Sequence, residues 1–362
     1  MAESSTIEWT DATWQPITGC AIVSPGCTNC YAMKLAGTRL RNLPSRVGLT
    51  VETKAGPVWN GKVRLNEEWL LQPLTWRRPR KIFVCAHGDL FTEGVPDAWI
   101  DRVVAVMALA GHHTFQVLTK RPARMRAYFA SLPERIRTLD CDSGLDLVTL
   151  PLRNVWLGVS AEDQRRADER VPDLLATPAA VRFVSAEPLL GPIDFRALKP
   201  GPEEISLDAL TGAFTVTASF AGGLANYQAG LDALPPLPSR RPGLDWIIVG
   251  GESGHGARPM HPDWARQIRD ACAAAGVAYL FKQWGSWGPG AAFDAAPSAR
   301  TAYLGEIQTL VGPGSRTIKI AVPTRMDDVL GPPLTLKQLG KKAAGRLLDG
   351  VEHNGFPEVA RG

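Results

Sequence analysis

No apolar run in the 362-residue chain approaches the roughly 20 residues that a bilayer-crossing helix needs, so no membrane association is expected. The N-terminal stretch MAESSTIEWTDATW lacks the basic n-region and apolar h-region of a secretory signal. A cytoplasmic protein with reduced thiols is the expectation. No internal repeat is present. Charge of one sign is not in large excess either: 40 Lys and Arg face 36 Asp and Glu, a net +4. Such mild basicity is compatible with nucleic-acid binding without requiring it. Cysteine is scarce, at six residues. In a long chain without a secretory signal, six cysteines point to metal or redox use rather than to three disulfides.

What the chain does have is a series of short β-type runs. They are Lys81–Ala86, His113–Thr119, Asn154–Ser160, Val181–Ala186, Leu244–Gly250 and Val277–Lys282. Most are continuously apolar, as strands buried on both faces of a parallel sheet are. Helical patterns lie between them, over Asp97–Ala110, Ala161–Thr177 and His261–Gly276, the last closed by a capping glycine. This alternation predicts an α/β fold with a full or partial parallel (β/α) barrel, and a further strand leading into the first cysteines. An open doubly wound sheet is the alternative. Residues 1–350 are expected to form one barrel-like domain, followed by a tail over 351–362. Two loop-rich departures are expected, an insertion over 197–243 with a hairpin strand at Phe214–Phe220, and an excursion over 289–323. A C-terminal helix is expected around Leu334–Gly350.

The most specific local pattern is TGCAIVSPGCTNCYA, residues 18–32. Six residues separate Cys20 from Cys27, and two separate Cys27 from Cys30. A Cys-x-x-Cys turn brings two thiolates to one centre, and Pro25-Gly26 suits the bend that would return Cys20 to it. A structural zinc site closes its tetrahedron with a fourth Cys or His. The nearest histidine in sequence is His87. Three thiolates without a close fourth ligand suit a 4Fe-4S cluster with one open iron, and zinc is the alternative. Cys85 and Cys272 read as core residues. Cys141 has no recognisable context.

Function in a barrel gathers where strands end. The expected strand ends carry Asp89, Lys120, Arg121, Ser160, Glu162, Glu187, Glu252, Lys282, Gln283 and Trp284. In GGESG, Gly250 and Gly251 permit close backbone approach to a ligand, and Glu252 could hold a cationic group. His112–His113 reads as a capped loop. His255 and His261 flank Arg258 and suit phosphate binding or acid–base work.

Along WTDATWQPITGC, SPGCTNCYA, HGDLFTEGVPDAWIDRVVAVMALAGHHTFQVLTKRPARM, the segment from NVWLGVSAEDQ to GPIDF, LDWIIVGGESGHGARPMHPDW, FKQWGSWG and GKKAAGRLLDG, the chain resembles the phage-associated three-Cys-motif proteins of unknown function. These are in turn similar to radical S-adenosylmethionine (SAM) enzymes. The familiar radical SAM motif has a first gap of three residues and an aromatic before its third cysteine. Here the gap is six, Asn29 takes the aromatic position, and Tyr31 follows.

The resemblance implies a barrel of the radical SAM type, a 4Fe-4S cluster on Cys20, Cys27 and Cys30, and SAM as cofactor. Candidate SAM-binding residues are Ser160, Glu162, Glu187, Gly250, Gly251 and Glu252. Candidate substrate residues are Asp89, Lys120, Arg121, Lys282 and Trp284. The Gly-Gly-Glu run of radical SAM enzymes follows an early strand, whereas here it comes late. A separately encoded three-Cys-motif partner protein is implied, and nucleic acid or a nucleotide is the expected substrate. Two other readings stay open. One is a zinc-stabilised, non-catalytic nucleic-acid-binding or adaptor protein. The other is a hydrolase using Glu162, Glu187 and Glu252.

Overall fold

The computed structural model describes residues 4–138, 149–201, 205–216, 242–289, 301–304, 318–319 and 334–358. Seven parallel strands form the central sheet: β1 (Ala12–Trp14), β2 (Lys81–Val84), β3 (Thr114–Thr119), β4 (Val155–Ser160), β5 (Val181–Ala186), β6 (Trp246–Gly250) and β7 (Ala278–Gln283). Each pairs only with its neighbours in chain order. A doubly wound sheet reverses its strand order midway, so that alternative is excluded.

The sheet is curled into a half-barrel. A flat sheet would hold β2 and β6 about 19 Å apart, at four spacings of about 4.8 Å. Instead Phe83 of β2 and Trp246 of β6 both meet the Trp9 ring, with centroids at 4.6 and 6.2 Å. Trp9, Phe83, Trp156, Phe183, Ile248 and Leu280 fill the concave face. Gly158 makes this packing possible, since a Cβ there would lie 2.4 Å from the Phe183 ring.

Helices cover the outer face. They include α2 (Asp97–Leu109), α3 (Pro122–Thr138), α4 (Gln164–Leu175) and α5 (Pro262–Ala275), whereas α1 (Tyr31–Gly37) packs on a separate hairpin beside the cavity. Ile100, Val103, Val104 and Met107 of α2 are buried, as the helical spacing predicts. Asp163 caps α4 by accepting from the Arg166 amide at 2.8 Å, a contact worth about 1 kcal/mol. Gly276 ends α5 in the left-handed region, φ 71°. Among the described residues no helix is long and apolar enough to cross a membrane.

Within the 197–243 insertion, Ile205–Asp208 and Ala213–Val216 form an antiparallel hairpin. Residues 217–220 of the expected hairpin strand lie outside the described residues. In the second excursion, Thr301–Leu304 and Ile318–Lys319 join Trp287–Pro289 and Leu334–Gln338 in a four-stranded sheet. The helix expected around Leu334–Gly350 is therefore cut to a single turn, and its first part is a strand. LTLKQ alternates with period two, and Gly340, Gly345 and Gly350 all take positive φ, leaving one helical turn at Lys341–Ala344. The stretch after residue 350 is not a free tail over its described part. Phe356 stacks on Trp246 at 4.9 Å, and the Gly355 carbonyl accepts from the Trp246 indole at 2.8 Å.

Candidate functional site

The cysteine turn begins at Gly19, whose φ is 98° and where a Cβ would meet the Lys62 carbonyl at 2.2 Å. Only glycine fits there. Pro25–Cys27 forms a 3-10 turn, and the Cys30 amide donates to the Cys27 carbonyl at 3.2 Å. Cys30 then starts α1. Cys20, Cys27 and Cys30 line one cavity of ≈ 360 Å³ at the C-terminal ends of the strands. All three are free thiols. Among the described residues no three His, Cys, Asp or Glu are gathered to hold a single metal ion.

Much of the strand-end charge is spent on fastening this turn. Glu162, after β4, accepts from the Gly26 amide at 3.1 Å and pairs with Arg170 at 3.0 Å, both side chains buried. Glu252, after β6, pairs with Arg258 at 2.6 Å and accepts from Asn29 Nδ2 at 2.9 Å. Arg258 also donates to the Pro25 carbonyl, and Lys34 to Asn29 Oδ1. Arg121, after β3, donates to Asp89 Oδ2 at 3.0 Å, to the Ala21 carbonyl at 2.9 Å and to Cys20 Sγ at 3.4 Å. The Asn29, Lys34 and Arg258 contacts had no signal in sequence beyond the unusual residue before the third cysteine.

Burial, reinforced by Asp89, pushes the Cys20 thiol up to about 12 against the pull of Arg121. Burial raises Glu162 too, but Arg170, Lys120 and the Gly26 amide outweigh it and hold the carboxyl below its usual range. Both effects follow from desolvation competing with nearby charge.

Other polar residues remain directed at the cavity. Lys282 pairs with both oxygens of Glu187 at 2.8 Å, and Gln283 donates to the same carboxylate at 3.2 Å. Gly250 lets Glu187 lie across the end of β6, because a Cβ would meet its carboxylate carbon at 3.1 Å. Lys120 lines the cavity and makes no ion pair among the described residues. Ser160, Ser185, Gly251 and Ser253 complete the polar wall, and Trp9, Phe83 and Leu118 give an apolar floor.

The structure thus gathers most of the expected residues. Cys20, Cys27, Cys30, Asp89, Lys120, Arg121, Ser160, Glu187, Gly251, Glu252 and Lys282 share the cavity wall. Glu162 and Gly250 stand just behind it. Trp284 does not reach it. Its ring is buried, meets Phe281 at 5.0 Å and donates to the Leu347 carbonyl at 2.8 Å. Cys85 is buried, as a core residue should be, yet it also lines the cavity with a left-handed backbone, φ 56°. Cys272 is buried in α5, and Cys141 lies outside the described residues. His261 caps α5 by accepting from the Asp263 amide at 3.1 Å, and Arg258 is neutralised by Glu252. His113 is buried against the Pro73 carbonyl.

The sequence of residues 4–357 matches the family described as Protein of unknown function (DUF5131), and the chain belongs to that family. No curated protein and no solved structure matches the chain.

Proposed function

We propose that this DUF5131 protein is a radical SAM-like iron–sulfur enzyme of the three-Cys-motif type, acting on nucleic acid or a nucleotide. The reading rests on one observation: Cys20, Cys27 and Cys30 open into the same cavity as the polar ends of six strands, β2 to β7. Three thiols with an adjacent open volume suit a cluster held on three sides, with SAM on the fourth. When bound and reduced by an external electron donor, such a cluster would supply the one electron that cleaves SAM to methionine and a 5′-deoxyadenosyl radical.

The chain's own residues then have defined work. Glu252 and Glu162 hold the cysteine turn against β6 and β4. Arg121 donates to Cys20 and favours its thiolate. Ser160, Glu187 and Gly251 are placed to receive the polar parts of SAM, and Lys120 and Lys282 those of the substrate. Trp9, Phe83 and Leu118 keep water from the cavity floor, which protects a reactive intermediate. A separately encoded three-Cys-motif protein is the proposed partner, and a cytoplasmic location is proposed with it.

Anaerobic reconstitution with iron and sulfide, followed by visible absorption and electron paramagnetic resonance, tests the reading. A charge-transfer band and a reduced-cluster signal, both lost in Cys27→Ala, are expected. Uptake of zinc with no iron or sulfide would sink it.

One observation favours a second reading, a zinc-stabilised adaptor. Cys20 and Cys30 pack against a small core of Ala32, Met33, Ala36, Leu49 and Trp59, so a metal there would brace local structure. On that reading Cys27→Ala unfolds the segment around α1. The hydrolase reading is weaker, because Glu162 and Glu252 are already neutralised by Arg170 and Arg258.

A further inference from the structure

Residues 31–65 form a lobe beside the cavity, made of α1, the turns after it and the hairpin Thr50–Thr53 with Gly56–Trp59. The lobe carries seven lysines and arginines against one acid, Glu52. Its +6 exceeds the chain's net +4, so the remainder of the molecule is net acidic.

The charge is also uncompensated. Elsewhere arginines are matched to carboxylates, as Arg124 is to Asp97, Arg135 to Asp101, and Arg266 to Asp349. None of the lobe's seven cations makes an ion pair among the described residues. Lys34, Arg46 and Arg64 donate to backbone carbonyls, Asn29 or His87. Arg39, Arg41, Lys54 and Lys62 are exposed. Burial and the neighbouring Arg64 charge pull Arg46 down to about 10, as unrelieved positive charge does.

The lobe reaches the cavity directly, since Tyr31 and Trp59 both line it. Tyr31 is 49% exposed, an aromatic face at the mouth. A positive surface that leads to an aromatic ring and a small cavity is how unpaired nucleic acid is held: phosphates on the cations, bases on the ring. The cavity, at ≈ 360 Å³, is far too small for a duplex, so only an unpaired nucleotide can approach its mouth.

We infer that the 31–65 lobe is a docking surface for an unpaired nucleic-acid strand, gripping its phosphodiester backbone and presenting one nucleotide to the cavity past Tyr31. The inference takes the cavity to be the reaction site proposed above, but its test reads binding alone.

The test is fluorescence anisotropy of a labelled 20-nucleotide oligothymidylate with the full-length protein, across a salt series. Oligouridylate run in parallel separates DNA from RNA, and tight binding of either supports the inference. R39E/R41E and K54E/K62E are each expected to weaken binding at least tenfold. Each pair should also flatten the logarithmic salt dependence by about 1.4, at about 0.7 for each phosphate no longer neutralised. Tyr31→Ala is expected to weaken binding about tenfold and Tyr31→Phe to restore it.

R137E/R165E makes the same charge change at exposed arginines already paired to Glu134 and Glu169, and should stay within twofold of the wild type. Equal losses in that control, absence of oligonucleotide binding, or binding only to phosphatidylserine vesicles overturns the inference. Lobe-dependent binding by a protein that takes up only zinc would sink the radical chemistry and leave the docking surface standing. Iron-loaded protein with no affinity for either strand would do the reverse.

Discussion

Asn29 Nδ2 donates to Glu252 Oε2 at 2.9 Å, joining the cysteine turn to the loop after β6 across more than 220 residues of sequence. The same carboxylate takes the Arg258 guanidinium and the Arg258 amide, the latter at 2.8 Å. Asn29→Ala removes two charge-assisted bonds, one to Glu252 and one from Lys34, and should cost at least about 1.5–3 kcal/mol in urea unfolding. Asn29→Asp should cost more, because it sets a second carboxylate against Glu252. If Asp proves no worse than Ala, the contact does not hold the turn.

The Glu162–Arg170 pair is buried on both sides, at 1% and 5% exposure. Arg170→Met leaves Glu162 without its partner and should destabilise by about 3–5 kcal/mol. Combining it with Glu162→Gln should recover a large part of that loss. Thermal melts of the two single variants and the double variant measure the coupling.

Gly158 lies on the concave face opposite Phe183. Gly158→Ala forces the ring aside and should cost about 1–3 kcal/mol, whereas alanine normally favours a strand over glycine. A denaturation midpoint unchanged by the substitution would show that the floor is looser than this packing implies.

His87 accounts for one pH effect. Burial, and then the Arg46 charge, lower it from 6.5 to about 4. The folded protein therefore binds this proton less tightly than the unfolded chain does. The stability concerned is complete above pH 6.5 and is lost as pH falls from there to about 4, by up to about 3 kcal/mol. His113 and His261 shift in the same direction. His87→Gln keeps an acceptor for Arg46 and should flatten the urea midpoint in this window. An identical pH dependence in the variant would assign the effect elsewhere.

The strands were legible in sequence because they are buried on both faces, so their apolar runs are nearly unbroken. KIFVCA, NVWLGVS and LDWIIVG became β2, β4 and β6 within a few residues. The gathering of Cys20, Glu187 and Lys282 around one cavity was legible too, since strand ends of a curled parallel sheet converge. What each charge does there was not. Glu162 and Glu252 look alike at strand ends, yet both are turned to Gly26, Arg170, Asn29 and Arg258, contacts made across more than 130 residues in the case of Gly26. Trp284 follows a strand as Glu187 does, but its ring packs away from the cavity on Phe281. The LTLKQ strand was missed because its alternation runs for only five residues beside a lysine-rich helical pattern.

The small core under the lobe has a mechanical meaning. Cys20 and Cys30 lean on the same cluster that seats Leu49 and Trp59. A pull on either sulfur is therefore transmitted to the hairpin and to the cations around it. The lobe rides on the thiols as a saddle rides on its girth: tightening at the sulfurs would stiffen the packing of Leu49 and Trp59, and slack there would loosen it.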